Sequence, residues 1–546
     1  MSQTIASDTG QLDSLRVHAT DNVRVALKDL PVGSEIDDEG QRFPLAEAIR
    51  HKHKFAVTAL EPDDTVIMYG VTVGRATRPI AQGGAITTEN TQHSTATTSP
   101  QASRDSWQAP DVSRFQGATF DGYHRPDGRV GTANLWLVVP LVFCENRNIE
   151  VLRQCVADAL GEDPYRDYKH MARQLLHGDA AKSTPQASVE RLFPNVDGVR
   201  FLTHTLGCGG TDDDAQALCQ LLAGYICHPN VAGATVLSLG CQKAQIEMLS
   251  SAVAERDPRG QRPVHYLEQQ ASVSEEALIR QALTTIFDGI AEANRVERRP
   301  APLSELVIGV ECGGSDGFSG LSANPLVGAV VDRLVALGGS GILSEFPELC
   351  GVEHELIARC TDDAVAERFA TLMDAYQQHA ARVGADFSMN PSPGNIRDGL
   401  ITDAMKSAGA AKKGGDSPVV DVLDYTEPLT CRGLNLLCTP GNDVESTTAL
   451  AGSGANLILF TTGLGTPTGN PVTPVLKIAS NSELALRMSD VIDFDAGPII
   501  RGEAPVDKLA DRLLELCIDA ASGRYRPRAV GLAQYDFIPW KRGVSL

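Results

Sequence analysis

Long apolar runs are missing from this sequence. The longest, such as LWLVVPLVF at 135–143, fall far short of the roughly 20 residues that a membrane-spanning helix needs. The opening residues MSQTIASDTGQLDS have neither the basic start nor the apolar core of a secretory signal. We therefore expect no membrane as a partner and a cytoplasmic location.

An excess of positive charge is also missing. The chain has 48 Lys and Arg against 69 Asp and Glu, which gives a formal net charge of −21. Nucleic-acid-binding proteins need basic surfaces, so this balance argues against nucleic acid as a partner. A small anionic substrate stays compatible, because a local group of basic side chains can bind it on an acidic protein.

Closely spaced cysteine pairs are absent too. None of the 12 cysteines forms a C-x-x-C pair, and 12 cysteines in 546 residues do not make a disulfide framework. A structural zinc site is therefore not expected. Each cysteine has to be interpreted by its own position.

The pattern that is present divides the chain into domains, because 546 residues exceed what one core normally holds. Short β runs broken by Gly, Pro and Asp come first, then a Ser-, Thr-, Gln- and Pro-rich stretch typical of a linker. Apolar runs suited to parallel strands then alternate with helical patterns at 212–226, 324–339 and 354–384, which is typical of an α/β fold. A second break is expected near 291–302. The predicted divisions are a β domain at 1–92, a linker at 93–117, an α/β domain at 118–298 and a C-terminal α/β domain at 299–546.

Five predicted strands of the α/β region end in glycine and a polar or thiol side chain. In open α/β sheets ligands bind beyond the carboxyl ends of the strands, so the recurrence predicts one site walled by these ends. The alternative is that the glycines only make turns and the cysteines pack as small apolar residues. The strand-end residues are Cys144, Asn146, His204, Cys208, Cys241, Cys312, Asp316, Thr461 and Thr462.

The stretch LVIGVECGGSDGFSG at 306–320 also fits G-x-S-x-G, the turn that presents a nucleophilic serine in hydrolases. That turn requires a helix to begin at once, whereas the helical pattern begins only near Asn324 and Pro325. Histidines after it are limited to His354 and His379, far from the C-terminus where such hydrolases usually place theirs. A hydrolase is therefore the least favoured enzyme class.

Several stretches together resemble the altronate/galactarate dehydratase family. The α/β region carries the family-like motifs, and the N-terminal DNVRVALKDLPVG and YGVTVGRAT resemble the family's SAF domain, a β-clip module. The motifs are FDGYHRPDGRVGTAN (120–134), VFCEN (142–146), ECGGSDGFSGLSANP (311–325), SEFPELCGVEH (344–354), NPSPGN (390–395), CTPGNDVESTT (438–448) and FTTGLGTPTG (460–469). Two departures stand out: Ala133 replaces an arginine, and Thr87 and Glu89 replace two histidines while Asn90 is kept.

The resemblance implies a hydro-lyase that converts D-altronate to 2-keto-3-deoxy-D-gluconate and water. Removal of the C2 proton and loss of the C3 hydroxyl need stabilisation of an enolate, which a divalent metal, Fe(II) or Mn(II), would supply as a Lewis acid. Galactarate or another aldonate or aldarate is the alternative substrate. Because of the departures, a non-catalytic sugar-acid-binding homologue is an alternative of a different class. For partners we expect a small anionic sugar acid, and a homodimer if the chain associates.

The resemblance also implies which residues to expect in the site. The metal candidates are His53 and Glu89, and a carboxylate among the candidates can instead cap a helix or form an ion pair. The catalytic candidates are His53, Lys54, Asp316, Glu345 and His354, with Glu348 beside them. The substrate-binding candidates are Asn146, Ser315, Asn390, Ser392, Asn395, Thr461 and Thr462.

The cysteines at strand ends raise an alternative cofactor. Cys144, Cys208, Cys241 and Cys312 are candidate ligands of an iron–sulfur cluster, which other dehydratases use as their Lewis acid. No close cysteine pair anchors such a cluster locally, and inert buried thiols are the competing interpretation.

Overall fold

The structure is a computed structural model that describes residues 12–95, 107–161, 163–177 and 191–546. Residues 96–106, which belong to the predicted linker at 93–117, lie outside the described residues. No helix within the described ranges is long and apolar enough to span a membrane.

The first unit is built from short antiparallel strands, as the sequence predicts. They form a four-stranded sheet in the order β1-β2-β5-β8, a three-stranded sheet β6-β7-β9 and the pair β3-β4. Alternate apolar residues such as Val25, Phe55, Val66 and Val73 are fully buried between them. The strands are β1 Ser14–Leu15, β2 Val23–Ala26, β3 Glu35–Asp38, β4 Gln41–Pro44, β5 Lys54–Ala56, β6 Thr65–Met68, β7 Val71–Ala76, β8 Ala85–Ile86 and β9 Thr91–Gln92.

The second unit has a four-stranded parallel sheet in the order β13-β12-β14-β15, with a small antiparallel sheet β11-β10-β16 beside it. Strand β12, LWLVVP, is buried at every position, as expected for a parallel strand covered on both faces. The elements are β10 Thr119–His124, β11 Val130–Gly131, β12 Leu135–Pro140, α1 Asn146–Leu160, α2 Arg166–His177, β13 Gly198–Phe201, α3 Asp212–Ile226, β14 Val231–Ser238, α4 Ile246–Arg256, β15 Val264–Glu268, α5 Glu275–Ala293 and β16 Arg299–Pro302.

The third unit has a seven-stranded parallel sheet in the order β19-β20-β18-β17-β21-β22-β23. Together with the second unit it confirms the predicted α/β fold with parallel sheets. The elements are β17 Val307–Cys312, α6 Ala323–Ala336, β18 Ser340–Leu343, α7 Glu353–Ala358, α8 Asp363–Arg382, α9 Pro393–Arg397, α10 Asp403–Ala410, β19 Val419–Leu423, β20 Leu434–Leu437, α11 Asp443–Ser453, β21 Leu457–Thr462, β22 Val475–Ala479, α12 Ser482–Arg487, β23 Phe494–Asp495, α13 Gly497–Ile500, α14 Val506–Ala521 and α15 Arg528–Gly531.

One predicted helical stretch differs from the structure. The pattern at 354–384 divides into α7 and α8 rather than forming one helix. Cys360 forms a bridge with Val419 at the edge of the sheet, and the Asp362 side chain accepts a hydrogen bond from Val365 N at the start of α8. An aspartate that caps the next helix interrupts an apolar periodicity that otherwise continues through the break.

The five predicted strand ends are all present, but they belong to two sheets. β12, β13 and β14 lie in the four-stranded sheet, and β17 and β21 lie in the seven-stranded sheet. The C-terminal tail links the loops after the two sheets: Leu546 N donates to Gly209 O at 2.6 Å, and Trp540 N donates to the Tyr425 hydroxyl at 2.8 Å. The strand ends therefore form two groups.

Candidate active site

The carboxyl edge of the seven-stranded sheet ends in a group of charged side chains shielded from solvent. Acidic and thiol groups come from the ends of β17 and β18 and the start of α11, and two lysines come from α10 and the turn that follows it. All are buried except Asp443, which is partly buried. We call this group the acid–lysine cluster; it consists of Glu311, Cys312, Glu345, Glu348, Lys406, Lys413 and Asp443.

Local backbone geometry brings the acids of the cluster together. Glu345 has a φ of +67°, a left-handed conformation that costs a non-glycine residue about 1–3 kcal/mol. Its N–H donates to Thr439 Oγ1 at 2.8 Å, which helps to hold the turn. Gly313 has no room for a side chain, because a Cβ there would collide with the Asp443 carboxylate. The Cys-Gly-Gly sequence thus lets the end of β17 approach α11 closely.

The two lysines form close polar contacts within the cluster. Lys413 Nζ lies 2.8 Å from both Glu345 Oε2 and Cys312 Sγ. Lys406 Nζ lies 2.6 Å from Glu348 Oε1, and the Cys312 thiol lies 3.2 Å from Glu348 Oε2. The Cys312–Glu345–Glu348 side of the cluster is therefore already neutralised by ammonium groups.

The opposite side of the cluster leaves carboxylate oxygens without partners. Glu311 Oε2 accepts from Ser446 Oγ at 2.5 Å and Ser344 Oγ at 3.3 Å, but Glu311 Oε1 has no hydrogen-bond partner. Glu345 Oε1 likewise has none. One oxygen from each of Glu311, Glu345 and Asp443 lies within 4.8 Å of the other two. Three converging carboxylates, two of which have an unpaired oxygen, are suited to a hard divalent cation.

Burial changes the proton affinities of these groups. It raises the pKa of Glu311 well above its usual value, with the neighbouring Glu345 adding to the shift. The pKa of Glu345 is raised by burial and by Glu348, and that of Asp443 is raised to about 7 by burial and by Glu345. The carboxyl groups of Glu311, Glu345 and Asp443 therefore bind protons more readily than ordinary carboxyl groups do.

The pKa values of the two lysines are raised, whereas burial alone would lower the pKa of an amine. Burial lowers the pKa of Lys413, yet the surrounding Cys312, Glu345 and Glu348 raise it well above the usual value. For Glu348, burial acts to raise the pKa, but Lys406 and Lys413 lower it overall. Both lysines are ammonium ions as long as these acids surround them.

Among the substrate-binding candidates, Asn390 reaches the cluster. Its Oδ1 accepts a hydrogen bond from Lys406 Nζ at 2.6 Å. Of the catalytic candidates, Glu345 and the neighbouring Glu348 are cluster members.

Asp316, Lys54 and His53 come together at a different place, the contact between the first and third units. Asp316 is fully buried and lies 3.0 Å from Lys52 Nζ, with the Ser480 hydroxyl at 2.9 Å. Lys54 Nζ donates to Gly399 O at 2.6 Å, and burial lowers the pKa of this lysine to about 7. These contacts join two domains, so Asp316 and Lys54 have structural partners.

His53 and Glu89 each contact a different part of the chain. His53 Nε2 lies 3.0 Å from Arg397 O, and burial lowers the pKa of the imidazole. The pairing of Lys54 with Ile86 sets His53 opposite Thr87 on the neighbouring strand. Glu89 keeps 79% of its side chain exposed and pairs with Arg78 at 3.0 Å.

The other candidates near the third unit mainly hold loops together. Ser392 and Asn395 form a capping box at α9, and Asn395 Nδ2 donates to Ser315 O at 2.8 Å. Thr461 Oγ1 donates to Asn324 Oδ1 at 2.6 Å. Thr462 Oγ1 accepts from Gly465 N at 2.9 Å.

Two candidates lie elsewhere. His354 belongs to α7, and its buried Nδ1 has no hydrogen-bond partner. Asn146 begins α1 in the second unit, where its Nδ2 donates to His204 O at 2.8 Å. Neither has a recorded hydrogen bond to the acid–lysine cluster.

Four members of the cluster escaped prediction from the sequence. Glu311 could have been noticed as a single acid inside the apolar run LVIGVEC. Lys406 and Lys413 lie in DAMKSAGAAKKGG and resemble surface lysines, and Asp443 resembles an ordinary first-turn acid of a helix. Only the chain topology brings these three to the end of β17.

Comparisons with known proteins agree along the whole chain. Three family models match: the altronate/galactarate dehydratase SAF domain at 12–94, the D-galactarate dehydratase/altronate hydrolase second domain at 122–294 and the D-galactarate/altronate dehydratase C-terminal domain at 303–545. Altronate dehydratase of Escherichia coli is 35% identical, and that of Bacillus subtilis is 34% identical, each over 93% of this chain and 95% of the relative. Galactarate dehydratase (L-threo-forming) of Escherichia coli is 33% identical over 95% of both chains.

Proposed function

The chain belongs to the altronate/galactarate dehydratase family of hydro-lyases, and from this premise we propose that it dehydrates D-altronate to 2-keto-3-deoxy-D-gluconate with the help of a divalent metal. The observation that carries the proposal is the acid–lysine cluster at the carboxyl edge of the seven-stranded sheet. It combines fixed positive charge, unpaired carboxylate oxygens and groups that can exchange protons, which are the needs of an elimination next to a carboxylate.

The residues present fit a divalent metal, Fe(II) or Mn(II), on one side of the cluster. Glu311, Glu345 and Asp443 would hold it, since one oxygen of each converges with the others and both Glu311 and Glu345 have an oxygen without a hydrogen-bond partner. When bound, the metal supplies a Lewis acid for the carboxylate and 2-hydroxyl of the sugar acid. In this assignment Glu345 acts as a ligand rather than as the base.

Lys413 is the residue we assign to the C2 proton. It is fully buried, and although burial lowers the pKa of its amine, Cys312, Glu345, Glu348 and Glu311 together raise that pKa well above its usual value. A cation held by Glu345 and Glu311 would offset part of the negative charge that raises this pKa, and would make the neutral amine more accessible. The Lys413 amine then takes the C2 proton, and the C2 electron pair forms the double bond to C3.

Lys406 is the residue we assign to the departing hydroxyl. It is an ammonium ion in contact with Glu348 and Asn390, and its pKa is raised because Glu348, Cys312 and Glu345 outweigh burial. Proton donation from Lys406 as the C3–oxygen bond breaks releases water. The enol then tautomerises to the 2-keto acid.

Altronate is proposed ahead of galactarate because two relatives named altronate dehydratase match over nearly the full chain. Galactarate dehydratase is almost as similar, so galactarate is the first alternative substrate. The two acids differ in the number of carboxylates, and a panel of aldonates and aldarates separates them.

The departures from the family pattern leave the acid–lysine cluster intact. Thr87 and Glu89 lie on the first unit, and Ala133 lies just before β12 in the second. None of these three positions belongs to the acid–lysine cluster. A non-catalytic sugar-acid-binding protein is therefore not the favoured interpretation.

The test is anaerobic turnover of the panel with Fe(II), Mn(II) or Mg(II), scored by the 2-keto-3-deoxy acid that forms. The expected result is altronate-selective turnover that a chelator abolishes. Preference for galactarate would show that galactarate rather than altronate is the substrate. Full activity in the presence of the chelator would overturn the metal assignment.

A further inference from the structure

The carboxyl edge of the four-stranded sheet carries a second group of reactive side chains that the proposed reaction does not use. Cys144 follows β12, Cys208 follows β13 and Cys241 follows β14, and these three strands are neighbours in the order β13-β12-β14. We infer that Cys144, Cys208 and Cys241, here called the thiol triad, bind a cubane iron–sulfur cluster with one iron left free of protein ligands.

Exposure sets the triad apart from most cysteines of the chain. Free cysteines are normally buried, and seven of the 12 are buried here. Three of the five exposed ones are Cys144, Cys208 and Cys241. Exposed free thiols concentrated at the ends of three adjacent strands are better suited to a ligand than to packing.

Backbone contacts draw the three loops around Gly207. Phe143 N, next to Cys144, donates to Leu206 O at 3.0 Å. Lys243 N, two residues after Cys241, donates to Gly207 O at 3.0 Å. Gly207 has a φ of +97°, and a Cβ there would collide with Leu141 O. Cys208 follows this glycine directly, so the loop that carries it lies between the other two.

Side-chain contacts connect the loops of Cys144 and Cys241. Gln270 Nε2 donates to Cys241 Sγ at 3.1 Å, and amide-to-sulfur bonds of this kind stabilise metal-bound thiolates. The neighbouring Gln269 contacts Asn148, whose Nδ2 donates to Glu145 Oε2 at 2.8 Å. Glu145, adjacent to Cys144, is fully buried, and its Oε1 has no hydrogen-bond partner.

The three sulfurs of the triad do not have the spacing of a single tetrahedral ion. Within the described residues, the triad is not among the groups whose ligand atoms all lie within 4.8 Å of one another. A tetrahedral zinc or iron ion needs its sulfurs closer than that, whereas a cubane holds its cysteine sulfurs farther apart. Three thiolates also leave one iron of a four-iron cluster open to a hydroxyl or carboxylate group.

Cys312 is not a fourth ligand in this proposal. Its sulfur is buried in the seven-stranded sheet, in contact with Lys413 and Glu348. The iron–sulfur cluster is therefore assigned to a different sheet edge from the acid–lysine cluster. The assignment does not depend on which sugar acid is dehydrated.

The experiment is anaerobic reconstitution of the full chain with Fe(II) and sulfide, followed by iron and sulfide analysis, visible absorption and electron paramagnetic resonance after reduction. The wild type should hold roughly four irons and four sulfides per chain. The triple variant Cys144→Ser, Cys208→Ser, Cys241→Ser should lose the cluster, and each single variant, assayed in parallel in case the triple misfolds, should hold less. The matched control Cys155→Ser, Cys431→Ser removes the other two exposed thiols and should keep it.

Several results would overturn the assignment. They are absence of a cluster in the reconstituted wild type, iron bound without sulfide, or an intact cluster in folded triad variants. Loss of the cluster in Cys312→Ser with normal thermal unfolding would also contradict it. Because none of these readouts is turnover, failure of the cluster is distinguishable from failure of the proposed reaction.

Discussion

The two parallel sheets of this chain end in opposite ways at their carboxyl edges. The seven-stranded sheet buries acids and lysines against one another, whereas the four-stranded sheet presents three thiols to solvent. The sequence has the same pattern at both edges, an apolar strand followed by Gly and Cys. The difference comes from what covers each edge, since α10 and its following turn close over the first, whereas loops and the chain's tail border the second.

The comparison teaches that a cysteine at a strand end has no fixed meaning. Cys312 becomes a neutral neighbour of Lys413, and its pKa is raised well above the usual value, mainly because it is buried and next because it lies beside Glu348. Cys208 lies on an exposed loop and stays accessible. Covering an edge favours proton and metal chemistry on oxygen and nitrogen, and leaving it open favours thiolate chemistry.

The largest expected effect is on turnover. Lys413→Met should reduce kcat by roughly 10²–10⁴-fold, because it removes the group assigned to the C2 proton. The matched control is Lys412→Met, the adjacent lysine, whose side chain is one-third exposed and pairs with Glu355 at 3.4 Å. Near-wild-type turnover in Lys413→Met, or equal loss in both variants, would contradict the assignment.

The next effect is on stability at the contact between the first and third units. Lys52→Met leaves Asp316 buried without its ammonium partner and should destabilise the protein by about 3–5 kcal/mol. Lys28→Met removes an exposed pair with Asp13 and should cost about 0–1 kcal/mol. Denaturant unfolding measures both, and equal values would show that the Lys52–Asp316 pair does not hold the two units together.

A smaller effect concerns pH and metal binding at the acid–lysine cluster. Burial raises the pKa of Asp443 to about 7, so this carboxyl is protonated below that pH and ionised above it. Metal ligands must be ionised, so Mn(II) affinity should rise with pH through 7, by about tenfold per unit for each proton released. Asp443→Asn should lower that slope by one proton, measured by calorimetric titration at several pH values.

The control for this slope is Asp212→Asn, which changes the matching first residue of α3 in the other sheet. Its side chain is 91% exposed, and its loss should leave the pH dependence of Mn(II) affinity unchanged. A slope that is the same in Asp443→Asn as in the wild type would remove Asp443 from the metal ligands.

The smallest expected effect is at Glu89. Glu89→Gln breaks an exposed pair with Arg78 and should change the free energy of unfolding by less than about 0.5 kcal/mol. Mn(II) affinity should also stay unchanged. A large loss of Mn(II) affinity would move the metal to the first unit and support the His53–Glu89 pair expected from the sequence.

Much of the fold was predictable because buried strands and helices have recognisable apolar patterns in the sequence. The apolar run at β12 and the periodicity of α3 predict their elements closely, and motifs such as ECGGSDGFSGLSANP identify the family. The split of 354–384 was missed because apolar residues recur on both sides of the break, and the sequence alone does not show that Asp362 caps a new helix.

The site was predictable only in part. Glu345, Glu348, Cys312 and Asn390 lie in motifs with unusual composition, and the structure brings them into or beside one cluster. Lys406 and Lys413 come from a helix and turn about a hundred residues after β17, with no local sign that they are buried. Long-range topology sets such positions, and a single sequence contains no direct record of it.

The most direct test of the account is an anomalous-scattering map of crystals of the full chain loaded with Mn(II) and a sugar acid. The account predicts a peak among the carboxylates of Glu311, Glu345 and Asp443, with the acid's carboxylate at the Mn(II) and its C2–C3 bond facing the two lysines. A peak at His53 on the first unit, with no density at the acid–lysine cluster, would contradict it.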